Sequence, residues 1–280
     1  NQLEEAGRAG EGEMIDWLQA SLLAILQGLT EFLPISSSAH LVIPSLILSW
    51  PDQGLAFDVA VHVGTLAAVI FYYRSDLGEL TVGCVQAVRQ RQINDHSRLV
   101  GYLAAATLPV AVVGLFGSGF IESDLRNLPV IATTTLVFGL LLGYADRYTA
   151  SHRVFRQVTL PIALMIGIAQ ALAPVPGVSR SGVTITAALL LDLDRQSAAR
   201  FSFLLSIPVI AAAGLLKAWQ LSHSAIPVDW LLLAGAASIA AVTAYLCIAV
   251  FLRLLDRVGL MPFVYYRIFL AALLYGLWLY

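Results

Sequence analysis

Charge is scarce in this 280-residue chain. Asp, Glu, Lys and Arg together make up 12% of it, against about a quarter in a soluble domain. The 16 basic and 18 acidic residues leave a net charge of −2, so there is no basic field to hold a nucleic acid. The two cysteines, Cys84 and Cys247, fall in a polar loop and in an expected span. They read as free thiols and exclude a disulfide framework. Strict polar–apolar alternation is missing, which excludes a membrane β-barrel. No basic segment precedes the first apolar run, so no cleavable signal is expected.

Apolar residues fill the space left. They account for 59% of the chain, with mean hydropathy +0.80. The expectation is an all-α polytopic membrane protein forming one bundle over residues 14–280. Residues 1–13 are polar and read as a disordered tail or an expression remnant ahead of Met14.

Apolar segments fall at about 15–33, 41–50, 56–73, 99–117, 129–145, 160–175, 183–193, 201–217, 229–252 and 263–280. A span takes about 20 residues, and the runs at 41–50 and 183–193 are about half that. Each follows a polar interruption. The first is QGLTEFLPISSSAH, from Gln27 to His40; the second is PVPGVSRSGVT, from Pro174 to Thr184. Interrupted, short segments at matching places in two halves point to re-entrant helices around a central site. A shift of 143 positions places Gln27 on Gln170, Leu29 on Leu172, Ser36 on Ser179, Ser38 on Ser181 and Ala39 on Gly182. One residue more brings Phe57-Asp58-Val59 onto Phe201-Ser202-Phe203. Repeat one is expected over about 14–145 and repeat two over about 160–280. Surface or interfacial helices are the other reading of the short runs.

Loop charge sets the expected topology. Arginines gather in 74–98, 146–159, 194–200 and 253–262. The stretches 51–55, 118–128 and 218–228 carry only Arg126, against Asp52, Glu122 and Asp124. Placing every Arg-rich loop in the cytoplasm gives six transmembrane helices plus two re-entrant helical hairpins. One hairpin enters from each side, an inverted-topology repeat whose polar tips meet mid-membrane. Trp17, Trp50, Trp219, Trp230 and Trp278 fall near span ends, as interfacial belts require.

Polar groups in hydrocarbon need water, partners or a charged ligand. Gln27 and Glu31 share a helix face, four residues apart. Pro34 ends that helix. Ser36, Ser37 and Ser38 then stand at the start of the next, where free amides favour an anion and where serine also serves as a plain N-cap. Glu31 needs a cation, a proton or a metal ion. His40 lies within reach of the serines, though a lone buried histidine is more often a satisfied core residue. In the second motif Pro176-Gly177 turns the chain and Gly182 allows close approach. Ser179, Ser181 and Thr184 add hydroxyls, and the Arg180 fork suits bidentate phosphate contact. Arg180 could equally pair with Glu31 and hold the two halves together. His62 is read as cavity lining or core, and His96, His152 and His223 as ordinary loop residues.

These motifs resemble the undecaprenyl-diphosphatase family, the BacA-type bacitracin-resistance phosphatases. The resemblance runs over 14–280 and includes FDVAVHVGT and PFVYYRIFLAAL. It implies hydrolysis of undecaprenyl diphosphate to undecaprenyl phosphate and phosphate, recycling the lipid carrier of peptidoglycan and other envelope glycans. It implies a bacterial inner-membrane location, a site open to the outer, periplasmic face, and a divalent cation, Mg2+ or Ca2+. Partners are then the lipid substrate and the bilayer, with no nucleic acid; a homodimer is compatible with it. Catalytic roles carry over to Glu31, Ser37, His40 and Arg180. A functional role also carries over to Ser179, with supporting roles at Ser38, Ser181 and Thr184; the phosphate-binding candidates are Ser36, Ser38, Ser179, Arg180, Ser181, Gly182 and Thr184. Glu31 with Gln27 are the metal candidates, although many family members carry Glu where this chain has Gln27.

On this reading Ser37 is the nucleophile, His40 its base or the acid to the leaving group, and Glu31 orients His40 or holds the metal. Attack by water or by His40 are the competitors. A transporter or flippase of a phosphorylated prenyl lipid is the opposed class, because broken helices at the midplane serve transport too.

Overall fold

The computed structural model describes residues 15–279 apart from 49, 52, 149–152 and 224–228. The expected tail 1–13, Met14, Asp52 and His152 lie outside the described residues. Within them the chain forms eleven α-helices and one short 3-10 turn, Phe155–Gln157. In order they are α1 (Trp17–Thr30), α2 (Ser37–Ile47), α3 (Gly54–Tyr72), α4 (Arg74–Gln90), α5 (Asp95–Asp124) and α6 (Leu128–Tyr148). There follow α7 (Leu160–Gln170), α8 (Arg180–Leu190), α9 (Arg195–Ser222), α10 (Trp230–Val258) and α11 (Met261–Leu279).

Six of these, α3, α5, α6, α9, α10 and α11, are long and apolar enough to cross a membrane. Their ends carry ordinary start signals. Asn94 begins α5 by accepting from the Ser97 amide at 2.9 Å. Asp194 begins α9 by accepting from the Ser197 amide at 2.7 Å. Asp229 begins α10, so each cap satisfies amides the helix itself leaves unpaired. Phe116, Leu215 and Leu231 stand exposed on the outer surface, a placement that suits lipid and not water.

Two expectations are corrected. The segment 74–98, read as a polar loop, is mostly helix α4, and Cys84 lies on it. Its sequence has no proline, and Leu80 and Gly83 give it a narrow buried stripe, so polar composition hid a regular element. His96, read as a loop residue, sits in the first turn of α5.

The halves of the chain exchange partners. Helix α10 packs on α3 and on α1, while α5 packs on α9 and on α7. Helix α8 lies against α6. Gly64 of α3 shows how close these crossings are: a Cβ there would meet the backbone of Ala237 on α10, a small-residue contact typical of membrane helices. Helix α9 runs through the centre, buried all round from Phe201 to Ser206. Phe32 meets Phe203 edge to face at 5.3 Å and Phe203 packs on Phe251, so the first helix break is anchored in the main core.

The Arg-rich segments meet at one end of the bundle. Arg200 pairs with Asp76 at 2.9 Å and Arg195 with Asp146 at 2.6 Å. Gln196 donates to Asp256 at 3.0 Å, and Arg153 lies 3.9 Å from Asp192. The four stretches singled out by charge thus belong to one surface.

Candidate active site

Two helix breaks face each other inside the bundle. Helix α1 stops at Thr30, and Glu31 occupies its last helical turn, its amide bonded to the Gln27 carbonyl at 3.0 Å. The chain then turns through Phe32–Ile35 and restarts as α2 after Ser36. In the second half α7 ends at Gln170 and α8 restarts after Ser179. Neither α2 nor α8 exceeds 11 residues, or about 16 Å at 1.5 Å per residue. Each ends too soon to cross a bilayer core.

The breaks are stitched to one another. The Ser181 hydroxyl donates to the Leu33 carbonyl at 2.9 Å, and the Ser38 hydroxyl accepts from the Gly177 amide at 3.4 Å. Arg267 of α11 lies between them, fully buried. Its guanidinium donates to Pro34 O (3.3 Å), Gly177 O (2.9 Å), Val178 O (3.1 Å), Thr134 O (3.4 Å) and Thr135 O (3.0 Å). Carbonyls released by both breaks are satisfied by one cation, which supplies what an interrupted helix lacks in an apolar medium. Gly177 has φ +90°, and a Cβ there would run into Thr134 and Ile131.

The polar junction centres on Glu31. Its Oε1 accepts from Arg180 Nη2 at 3.1 Å, and its Oε2 accepts from Gln27 Nε2 at 2.9 Å and from the Ser37 hydroxyl at 3.2 Å. His62 Nε2 stands 4.0 Å from Oε2 and 3.3 Å from Gln27 Nε2. The Glu31 and Arg180 side chains are 8% and 11% exposed. A buried carboxylate and guanidinium tolerate this burial only as a hydrogen-bonded pair. Arg180 also donates to the Ser202 carbonyl at 3.2 Å and lies 5.7 Å from the Phe32 ring centre. The junction therefore joins Gln27, Glu31 and Ser37 of the first break to Arg180 of the second and His62 of α3.

His40 sits apart from this group. Its Nδ1 is 2.7 Å from the Ser36 carbonyl and its Nε2 is 2.6 Å from the Tyr266 hydroxyl of α11. Among the described residues Glu31 bonds Gln27, Ser37 and Arg180, not His40. Other hydroxyls of the motifs are directed into the protein. Ser179 caps α8 through the Gly182 amide at 3.1 Å. Thr184 bonds the Arg180 carbonyl at 2.8 Å and the Ser202 hydroxyl at 2.7 Å. Ser36 makes no capping bond; its hydroxyl meets that of Ser38 at 3.1 Å. Gly182 leaves room for Arg267, whose Nη1 would stand 2.9 Å from a Cβ at that position. Ser37 is part-exposed and Ser38 exposed, so the open side of the junction is at the start of α2.

A metal fits here only in a particular way. Among the described residues no three His, Cys, Asp or Glu side chains gather as a ligand set. Glu31 offers one carboxylate, and the buried Gln27 Oε1 has no hydrogen-bond partner among the described residues. Mg2+ is commonly held by one or two carboxylates plus substrate phosphates. The residues suit a cation shared with a phosphate ligand, and do not form a closed cage.

Sequence reading missed Tyr266, Arg267 and Ser202. The ending PFVYYRIFLAAL carries two of them, and an arginine inside a span was the available signal.

The family model described as Bacitracin resistance protein BacA matches residues 20–273. The chain belongs to that family. Among similar proteins, an undecaprenyl-diphosphatase of Alcanivorax borkumensis is 56% identical over 264 residues, covering 94% of this chain and 100% of the relative. One from Teredinibacter turnerae is 54% identical over 261 residues, 93% of this chain and 99% of the relative. One from Hahella chejuensis is 53% identical over 264 residues, 94% and 98% of the two chains.

Proposed function

We infer that this chain is a multi-pass membrane hydrolase that converts undecaprenyl diphosphate to undecaprenyl phosphate and phosphate. The product is the free lipid carrier used for peptidoglycan and envelope synthesis. The observation that carries the chemistry is the buried Arg180–Glu31 pair with the Ser37 hydroxyl on the same carboxylate. The named relatives are diphosphatases, which favours hydrolysis over a transporter built on the same helix breaks.

We further propose that the terminal phosphate enters beside Ser37 and Ser38, at the open start of α2, with the prenyl tail in lipid. Arg180 then turns part of its fork from Glu31 to the phosphate oxygens and neutralises their charge, the main demand of phosphoryl transfer. Ser37 Oγ attacks the terminal phosphorus and its proton passes to Glu31 Oε2. The bond to the bridging oxygen breaks, and undecaprenyl phosphate leaves with that oxygen. Water then hydrolyses the phosphoserine, its hydroxyl going to phosphorus and its proton to Ser37 Oγ, and Glu31 gives the proton it took to solvent, which restores the Ser37 hydroxyl and the Glu31 carboxylate and releases phosphate. Glu31, not His40, is the base this geometry supports. A divalent cation shared between Glu31, Gln27 and the diphosphate would add positive charge at the same oxygens.

The proposed architecture is two re-entrant hairpins, α1–α2 and α7–α8, in an inverted-topology repeat. Its supports are the paired short helices, the exchanged packing of the halves, and the Arg-rich segments gathered at one end. With that end in the cytoplasm of a bacterial inner membrane, the substrate site is proposed to open outward, to the periplasm.

Phosphate release from undecaprenyl diphosphate by the detergent-purified protein is the test. Wild type should release phosphate with Mg2+ or Ca2+ and Ser37→Ala should not. No release by wild type would overturn the activity; substantial release by Ser37→Ala would remove Ser37 as nucleophile.

A further inference from the structure

Both nitrogens of His40 are occupied. Nδ1 lies 2.7 Å from the Ser36 carbonyl oxygen. A carbonyl only accepts, so Nδ1 carries a proton. In the neutral ring Nε2 is then an acceptor, and the Tyr266 hydroxyl stands 2.6 Å from it as the donor. The two rings are nearly parallel, 7° apart, with centres 5.5 Å from one another. The imidazole is therefore held from two sides: by the backbone at the start of its own helix, and by α11.

The burial of the two side chains differs. His40 is 5% exposed and Tyr266 40%. The phenol, not the imidazole, is the open part of this pair. Tyr266 is also firmly placed, because its neighbour Arg267 ties α11 to carbonyls of both helix breaks. His40 stands three residues after Ser37 on α2, which puts the two on one helix face.

We propose that Tyr266 is a positioning residue for the reaction. It holds His40 as the Nδ1–H tautomer and closes the Nε2 lone pair to every group but the phenol. His40 then acts on the site through the fixed start of α2, as a locked neutral ring, and not as a free base beside Ser37. The kinetic consequence rests on the diphosphatase reading; the tautomer itself does not.

Diethyl pyrocarbonate, which acylates an unhindered neutral imidazole nitrogen, tests the lock directly. Modification of the His40 peptide, read by mass spectrometry, should be slow in wild type and at least about tenfold faster in Tyr266→Phe, because the lone pair is uncovered. In the same variant kcat should fall about tenfold with KM within about twofold, the pattern of a lost positioning contact and not of lost binding. An unchanged His40 rate in a folded Tyr266→Phe protein overturns the proposal, whatever the activity does. If wild type releases no phosphate yet the His40 contrast holds, the lock stands and the reading of function fails. Should Tyr266→Phe not fold, 3,5-difluorotyrosine at 266 keeps the shape and strengthens the donor. His40 should then react more slowly than in wild type, and an equal or faster rate overturns the lock.

Discussion

Ser36 and Ser179, 143 positions apart, share one backbone conformation. Their φ values are 73° and 70° and their ψ values 95° and 111°. Both are the residue from which a short helix restarts, and both hydroxyls meet a serine two places on, Ser38 at 3.1 Å and Ser181 at 3.3 Å. A positive φ is uncommon for a residue with a Cβ and costs of order 1–3 kcal/mol where the surroundings enforce it. Matching strain at matching positions ties the local turn geometry to the weak sequence repeat. Glycine takes this conformation freely and a β-branched residue does not. Ser36→Gly should therefore fold with a melting temperature in detergent near that of wild type. Ser36→Val should lose at least about 1 kcal/mol. Equal melting temperatures for the two variants would show that the turn is not strained.

The Arg180–Glu31 pair joins the two halves and is also the proposed charge device. Each of Arg180→Ala and Glu31→Ala should lower kcat by about 100- to 1,000-fold, the size seen when a transition-state donor is removed. Arg180→Lys should not restore it, because an ammonium cannot reach Glu31, the Ser202 carbonyl and a phosphate together. The double variant should be little worse than either single one, since the two groups act as a unit. Phosphate release measured for wild type and the four variants decides this, and full additivity would separate the two roles.

Much of this arrangement was readable in advance. Composition marked a helical membrane protein, and six helices are long and apolar enough to span. The two polar interruptions became the two breaks, and the Glu31–Arg180 pairing weighed from sequence is present at 3.1 Å. What escaped was set by distance along the chain. Tyr266 lies 226 residues from His40, and Arg267 is separated by 233 residues from Pro34. No helical or strand period connects such positions, so residue type alone could flag them. The expected pairing of His40 with Ser37 failed to appear for a local reason: the imidazole reaches back one turn to its own Ser36 carbonyl. Helix α4 was missed because its buried stripe is too narrow to show as an apolar run.

Arg267 makes a different prediction from Arg180. It contacts backbone carbonyls of both breaks and of α6, and among the described residues it bonds no carboxylate. Arg267→Met keeps the volume and removes every donor, leaving buried carbonyls unpaired at about 1–3 kcal/mol each. The expected result is a loss of at least about 3 kcal/mol of stability, seen as a large fall in melting temperature and poor recovery from the membrane. Arg180→Met, by contrast, leaves the carbonyls of both breaks paired with Arg267, so it should lose less stability than Arg267→Met while losing activity as fully as Arg180→Ala. Similar melting temperatures for the two methionine variants would contradict the division of labour.

If the proposed cation is shared between Glu31 and the diphosphate, Gln27 sets how the protein would hold it. Its amide nitrogen donates to Glu31 Oε2 at 2.9 Å, and its buried oxygen has no hydrogen-bond partner among the described residues. Gln27→Glu would replace that donor with a carboxylate facing another carboxylate. Two such groups at hydrogen-bond distance cannot both stay ionised without a proton or a cation between them. A bound divalent ion relieves the repulsion, and ligand charge raises affinity for it. The variant should therefore reach half-maximal phosphate release at a lower Mg2+ or Ca2+ concentration than wild type, by about tenfold or more for one added ligand charge. It should also be less active than wild type in chelator, where the second carboxylate must take up a proton or push Glu31 away from Arg180. A metal titration of phosphate release for both proteins reads this directly. An unchanged metal dependence would mean that the cation is not held at the Gln27–Glu31 face, leaving Glu31 to its roles toward Arg180 and Ser37.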